Sequence, residues 1–398
     1  MFKVLFLLMI SLNIMAKDSL KVLLYSHVPT GSLSKDFDSI KKRIEVEFEA
    51  LYPEIDLTVD MDNVLLDTYK VLNKEERKNG MISSEGYDLI EVDTLYIEKL
   101  VDQKLISKTP SINKSRYFDQ SIAAVTVDGE VFGAPTMMCS YYLAHKLNKQ
   151  SENITLGNEK LKISGMYSDS MVISLLYSAL LSQFYPKIKK QFEQDNSIMI
   201  FEKMYEIIKR CREYKCTTKD YFYSHALSKT LTTKDEDAHD VAIAYSQILH
   251  YLKMKDKAYE LHPFRFTKKA QPIFSLTNAL VLNQQRCTDA KCLSLTSKFI
   301  DYYSSQKTLH WLSLNKDNPG FPPRYISPSI IDFYSEPEVR LDKSYQVIFK
   351  RLEKSIHISY PSLLKYRKKK TFDFIDFLSM KDKKYKKMKD LDLWVQDF

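Results

Sequence analysis

LKVLLYSHVPTGSLSKDFDSIKKRIEVEFEALYPEIDLTV, residues Leu20 to Val59, carries the reading that decides the fold. Lys21 to Tyr25 is an apolar strand closed by Val28-Pro29. Lys35 to Leu51 places Phe37, Ile40, Ile44, Phe48 and Leu51 at helical spacing and stops at Tyr52-Pro53. Ile55 to Val59 is a second strand. Strand, helix and strand in succession form the repeating unit of a parallel sheet flanked by helices.

The alternation continues outward. A helix is expected over Val64 to Glu76, ending before Asn79-Gly80, then a strand over Tyr87 to Val92 and a helix over Thr94 to Lys104. Val127-Asp-Gly-Glu-Val131 has the form of a hairpin. A second alternating region follows, with a strand over Leu161 to Ile163, a helix over Ser170 to Gln183, helices through Arg212 and a strand over Val241 to Tyr245. A strand near Ala279 to Leu282 and a helix over Asp289 to Ser304 come next. The last part reads as mainly helical, interrupted by Gly320-Phe-Pro-Pro-Arg-Tyr-Ile-Ser-Pro328. The pattern predicts an α/β protein of two lobes with a cleft between them, as in periplasmic solute-binding proteins of type II. The lobes are expected to be 17–137 with 270–315, and 138–269 with 316–398, the latter ending in helices. In open sheets of this kind the site lies beyond the carboxyl ends of the strands.

Met1 to Ala16 combines a lysine, the apolar run Val4 to Ile14 and a small residue before Lys17, the form of a secretory signal. Its apolar run is too short for a permanent anchor. The mature chain is thus expected to be secreted or periplasmic, without a stable membrane anchor. Removing the signal takes one lysine and no acid from 59 Lys+Arg and 51 Asp+Glu, leaving a formal charge of 58 − 51 = +7. That charge is spread along the chain, which argues against nucleic acid as a partner. The basic runs Lys365-Tyr-Arg-Lys-Lys-Lys and Lys381 to Lys389 read as solvated helix faces.

Cys139 stands apart from four cysteines that form two equally spaced pairs, Cys211/Cys216 and Cys287/Cys292. The spacing is wider than that of zinc knuckles, so neither a metal nor any other cofactor is expected. In an oxidising compartment the four read as disulfides, with three connectivities open. Residues five apart point away from each other on a helix, so a bond between Cys211 and Cys216 requires the helix to end between them. Cys139 follows Gly133-Ala-Pro, a break in regular structure from which a side chain can enter a cleft.

Several segments resemble type I thiaminase (thiamine pyridinylase). They are Leu20 to Pro29, Tyr87-Asp-Leu-Ile-Glu-Val-Asp93 with Val101-Asp-Gln-Lys-Leu-Ile, and Phe321-Pro-Pro-Arg-Tyr-Ile-Ser-Pro328. Asp128-Gly-Glu-Val-Phe-Gly133-Ala-Pro135-Thr-Met-Met-Cys139 is the closest match and puts Cys139 on the family's nucleophile position. The resemblance implies a two-lobed binding-protein fold. It also implies a thiol that attacks the pyrimidine of thiamine, departure of the thiazolium, and displacement of the cysteine by another nucleophile, for which an organic base is one candidate. Two departures weigh against turnover: Tyr245-Ser246-Gln247 stands where the family has Tyr-Ser-Glu, and Asn278 falls on a family aspartate. An amide cannot take a proton near neutral pH, so base catalysis by Gln247 is lost.

The resemblance makes Cys139 and Gln247 the catalytic candidates. Tyr25, His27, Asp93, Tyr223, Tyr245 and Asn278 become candidates for contact with a small heterocyclic ligand, thiamine or a pyrimidine analogue. Five of them have a plainer reading. Cys139 is a buried small hydrophobe, Gln247 a polar residue near a helix start, Asp93 an N-cap, His27 a surface residue, and Tyr223 a chance match. The expected protein is either an exchanging enzyme with another base, or a binding protein derived from one.

Overall fold

The computed structural model describes residues 17–25, 28–29, 37–61, 86–110, 112–146, 154–155, 163–164, 241–255, 258–265 and 273–356. The expected signal at 1–16, the helices expected at 64–76 and 170–212, the basic runs from Lys365 onward, and His27, Tyr223, Cys211 and Cys216 lie outside the described residues.

The opening stretch folds as its pattern dictates. β1 (Asp18–Leu24) leads to α1 (Asp38–Leu51) and to β2 (Ile55–Met61), which pairs parallel with β1 from Asp18↔Ile55 to Leu24↔Met61. α1 buries Ile40, Ile44 and Phe48, each four residues apart. Each such side chain contributes about 1.5–3 kcal/mol by leaving water. β3 (Leu89–Asp93) joins the other edge of β1, also parallel. The helix expected over Thr94 to Lys104 is shorter and begins differently. A 3-10 turn at Thr94–Tyr96 precedes α2 (Ile97–Asp102), because the Asp93 side chain accepts from Leu95 N (3.0 Å) and tightens the entry.

β4 (Ile106–Ser107), α3 (Asp119–Ala123) and the hairpin of β5 (Thr126–Val127) and β6 (Glu130–Val131) follow. Asp128 and Gly129 turn the hairpin with φ of 50° and 82°, the left-handed pair such a loop requires. β7 (Ala134–Cys139) passes through Ser140 into β8 (Tyr141–Lys146), which belongs to a different sheet. That second sheet runs β10 (Ile163–Ser164), β11 (Val241–Tyr245), β8, β12 (Tyr259–His262), and α4 (Ile248–Lys255) connects β11 to β12. A short parallel pair joins β9 (Ile154–Thr155) to β13 (Phe264–Arg265).

β14 (Ile273–Phe274) gives way through Ser275 to β15 (Leu276–Asn283), the strand that binds the first sheet together. The order there is β2-β1-β3-β15-β4, with β7 also on β15. β15 is antiparallel to β3, β4 and β7, so the sheet is mixed where the alternating pattern predicts a parallel one. The cause is connectivity: β15 arrives from β14, which pairs with β16 in a small separate sheet, and not from a crossover helix. α5 (Ala290–Tyr303), α6 (Gln306–Leu314), α7 (Pro337–Leu341), α8 (Lys343–Glu353) and β16 (Ser355–Ile356) complete the described chain. Cys287 and Cys292 form a disulfide across the start of α5, at the helix boundary their spacing demands.

Alternation along the strands fills two cores. Leu20, Val22, Leu24, Leu89, Leu280 and Leu282 face one of them, with Phe48 of α1, Phe299 and Tyr303 of α5, and Trp311 of α6. Leu23, Ile90, Val92 and Val281 face the other, with Ile97 and Leu100 of α2. Burial on both faces explains why these strands read as continuous apolar runs.

Candidate functional site

Cys139 is the last residue of β7 and lies opposite Leu276 of β15. It is a strand end, not the loop residue the Gly-Ala-Pro break predicts. Gly133 makes the approach of the two strands possible: a Cβ there would sit 3.1 Å from Ala279 Cβ and 3.3 Å from Leu280 O. A register shift between Thr277 and Ala279 leaves Asn278 bulged against β7 while it stays paired with Asp93 of β3. The bulge gathers the ends of three strands.

The thiol is free and the residue partly exposed. Burial pushes it up to about 12, and the negative charges of Asp93 and Glu91 push the same way. A hydrogen bond with the Gln247 side chain opposes them by favouring the thiolate. The structure therefore brings Cys139, Gln247 and Asp93 together, from two sheets. Asp93 spends one oxygen on capping Leu95 N, so its plain and functional readings coexist.

Gln247 holds its place through neighbours. It directly precedes α4, and Ser246 beside it donates to Tyr325 O (2.6 Å) and shares a hydrogen bond with Ser327 Oγ (2.9 Å). The segment carrying Tyr325 and Ser327 also flanks β7. Met138 N donates to Ser327 O (2.8 Å), Ser329 N to Thr136 O (2.9 Å), and Ser329 Oγ to Pro135 O (2.8 Å). His250 Nδ1 lies 3.1 Å from Pro322 O and from Pro323 O, one turn into α4. One loop thus sets the thiol and the amide relative to each other.

Tyr245 ends β11 opposite Tyr141, two residues beyond Cys139. Their rings stack at 4.7 Å and their hydroxyls lie 2.9 Å apart. Tyr25, at the end of β1, is partly exposed and packs on the second core, while its N–H donates to Glu91 Oε2 (2.8 Å). Arg351 of α8 lies behind the crossing, with its Nε on Ser140 Oγ (3.2 Å) and its guanidinium 5.5 Å from the Tyr142 ring. Burial lowers that guanidinium to about 10, which leaves it cationic at neutral pH.

Glu91, Thr136 and Tyr141 are not among the residues the sequence singles out. Glu91 is fully buried, hydrogen-bonded to Thr136 Oγ1, and pushed by desolvation up to about 7. Its signal is an acid inside the apolar run Leu89-Ile-Glu-Val. Among the described residues no group of three His, Cys, Asp or Glu is placed to hold a metal ion, and no helix is long and apolar enough to cross a membrane.

Comparison with known proteins places the fold. No protein-family model and no curated protein matches the sequence. Among solved structures, thiaminase I from Bacillus thiaminolyticus superposes with a TM-score of 0.65 at 14% identity, covering 89% of this chain and 98% of that one. Clostridium botulinum thiaminase I in complex with thiamin gives 0.68 at 14% identity, covering 90% and 100%. Maltose-bound MalE3 of T. maritima gives 0.73 at 8% identity, covering 95% and 99%. The fold is that of type II periplasmic binding proteins, shared by thiaminases and sugar-binding proteins.

Proposed function

We propose that the protein binds thiamine or a related pyrimidine at the junction of its two sheets, with Cys139 facing the ligand. The observation that carries this reading is the meeting at the end of β7 of the Ser246-Gln247 turn, which shares the Tyr325–Ser327 segment with Met138, and of Asp93, which pairs with Asn278 two residues from the partner of Cys139. The stacked Tyr141–Tyr245 pair lies next along the chain and supports a flat ring in place of a sugar. The acids near the thiol favour a cationic ligand, since a positive charge there offsets Asp93 and Glu91. On this reading the lobes divide at 137/138, 269/270 and 315/316, and the chain is exported after loss of residues 1–16. The passage of Ser140 and Ser275 from one sheet to another supports the first two divisions.

The chemistry such a site would perform is exchange at the methylene carbon. Cys139 Sγ bonds to the pyrimidine, the C–N bond to the thiazolium breaks with its electron pair going to the thiazole nitrogen, and an organic base then displaces the sulfur. The thiol must first lose its proton, and Gln247 cannot take it. A bound cation would assist by lowering the thiol from its resting position near 12. That resting position is the specific observation behind a second reading, a binding protein without turnover.

The test uses purified chain starting at Lys17 with thiamine and pyridine, following thiamine by chromatography and the protein by intact mass, beside Cys139→Ser. The enzyme reading expects consumption by the wild type alone, with binding retained in the serine variant. Equal turnover by both proteins would overturn the role of Cys139. Thiamine binding without consumption or adduct selects the second reading.

A further inference from the structure

Glu91 stands in an arrangement the proposed chemistry does not use. By alternation it shares a face with Leu89 and Asp93, so its side chain enters the apolar core that also holds Tyr303 of α5. Its Oε2 accepts from Tyr25 N at the end of β1. Its Oε1 meets Thr136 Oγ1 of β7, and that same hydroxyl lies 3.1 Å from Asn278 O at the bulge of β15. The end of β1 and β7 thus meet β3 at one carboxyl, and β15 is joined to it through the Thr136 hydroxyl.

This geometry accommodates two protonation states without loss of a hydrogen bond. When Glu91 is ionised, the Thr136 hydroxyl donates to Oε1. When Glu91 carries a proton, Oε1–H donates to Thr136 Oγ1, which turns its own hydrogen to Asn278 O. Tyr25 N–H is satisfied by Oε2 in both.

We propose that Glu91 is a positioning residue whose change of protonation state gates the reactivity of the Cys139 thiol. It acts through its charge and not by contact with a ligand, for it is wholly buried. As an anion it disfavours a second negative charge on Cys139; as a neutral acid it does not. Desolvation holds Glu91 near 7, which puts the change within the neutral range. The ionisable groups coupled to this pair are Asp93 of β3, which also raises the thiol, Tyr303 of α5, raised by burial and by Glu91, and Tyr142 of β8, raised by burial and by Cys139. Tyr303 stays neutral throughout the range concerned.

The consequence is a shoulder in the pH dependence of thiolate formation. Below about pH 7 the thiolate fraction climbs tenfold per pH unit; across the Glu91 transition the climb slows, and above it the climb resumes from a lower line. Alkylation by iodoacetamide, read by mass spectrometry on the peptide containing Cys139, would display this between pH 5.5 and 9. Glu91→Gln mimics the neutral acid, with Nε2 donating to Thr136 Oγ1 and Oε1 accepting from Tyr25 N–H. In that variant the shoulder should vanish. Its rates should match the wild type at pH 5.5 and exceed it by about tenfold at pH 8.5, the scale of a neighbouring like charge. Glu91→Asp should retain a shoulder.

A variant faster by one constant factor at every pH would show that Glu91 merely holds the strands, and would overturn the proposal. So would a wild-type profile of unbroken slope, which needs no variant to fold. The proposal rests on Cys139 being the reactive thiol of the site. Alkylation reports that thiol whether or not thiamine is a ligand, so failure here and failure of the thiamine assay are distinguishable.

Discussion

Glu91 occupies a position where an apolar side chain would serve the core better, and that has a measurable effect on stability. Its folded form holds a proton up to about 7, against an ordinary glutamate value of 4.5. A carboxyl raised on folding gives its full advantage below the unfolded value and loses it as pH rises through the folded one. Relative to Glu91→Gln, the wild type should therefore lose about 3 kcal/mol of stability between pH 4 and pH 8. Urea denaturation of both proteins at the two pH values measures this; a difference independent of pH would show that Glu91 does not change ionisation there. At this scale the sequence discloses chemistry better than environment. Cys139, Asp93 and Gln247 stand out in the primary structure, and the fold brings them together. Glu91 and Thr136 do not, because what matters about them is burial and a partner on another strand, neither of which is local in the chain.

Among the elements, the loop from Pro322 to Ser329 bears the most on the site, since it touches both β7 and the Ser246-Gln247 turn. Its anchor is Arg324, wholly buried. Its Nε donates to Pro29 O (2.9 Å), and its Nη1 to Leu312 O (2.9 Å) and Asp317 Oδ1 (2.7 Å). Breaking a buried pair from one side leaves its partner uncompensated, which typically costs about 3–5 kcal/mol. Arg324→Met should thus destabilise the protein by that amount in denaturant titration, while Arg324→Met with Asp317→Leu should recover much of it. A loss below about 1 kcal/mol in the single variant would mean that the pair does not anchor the loop. Elements built from local periodicity were legible: β1, α1, β2, the Asp-Gly hairpin and the helix after Cys287 all follow from spacing and turn residues. The sequence marks the loop as an interruption by glycine and proline and as a segment of the resemblance, but not its course. Its course is set by the burial of Arg324 and by hydrogen bonds to distant strands.

For the whole molecule, the same scaffold carries proteins that bind thiamin and proteins that bind maltose, so shape alone does not choose the ligand. Sequence pattern gave the α/β alternation, but not the antiparallel entry of β15 that joins the strand ends at one bulge. That entry depends on pairing across more than a hundred residues, and strand order of this kind leaves no mark on local periodicity. The choice of ligand therefore falls to the groups gathered at the junction: two acids, an amide on a thiol and a stacked tyrosine pair. These favour a flat cation over a neutral sugar, and the preference can be read from the stability of the entire fold. A ligand present at a hundred times its dissociation constant stabilises the native state by about 2.7 kcal/mol. Thiamine should accordingly raise the unfolding temperature by a few degrees at saturating concentration, in the wild type and in Cys139→Ser alike, whereas maltose should leave it unchanged. Differential scanning calorimetry over a concentration series separates saturable binding from a bulk solvent effect. A saturable shift with maltose and none with thiamine would transfer the protein to the carbohydrate-binding side of its fold, and Cys139 would then be a core residue with an accessible edge.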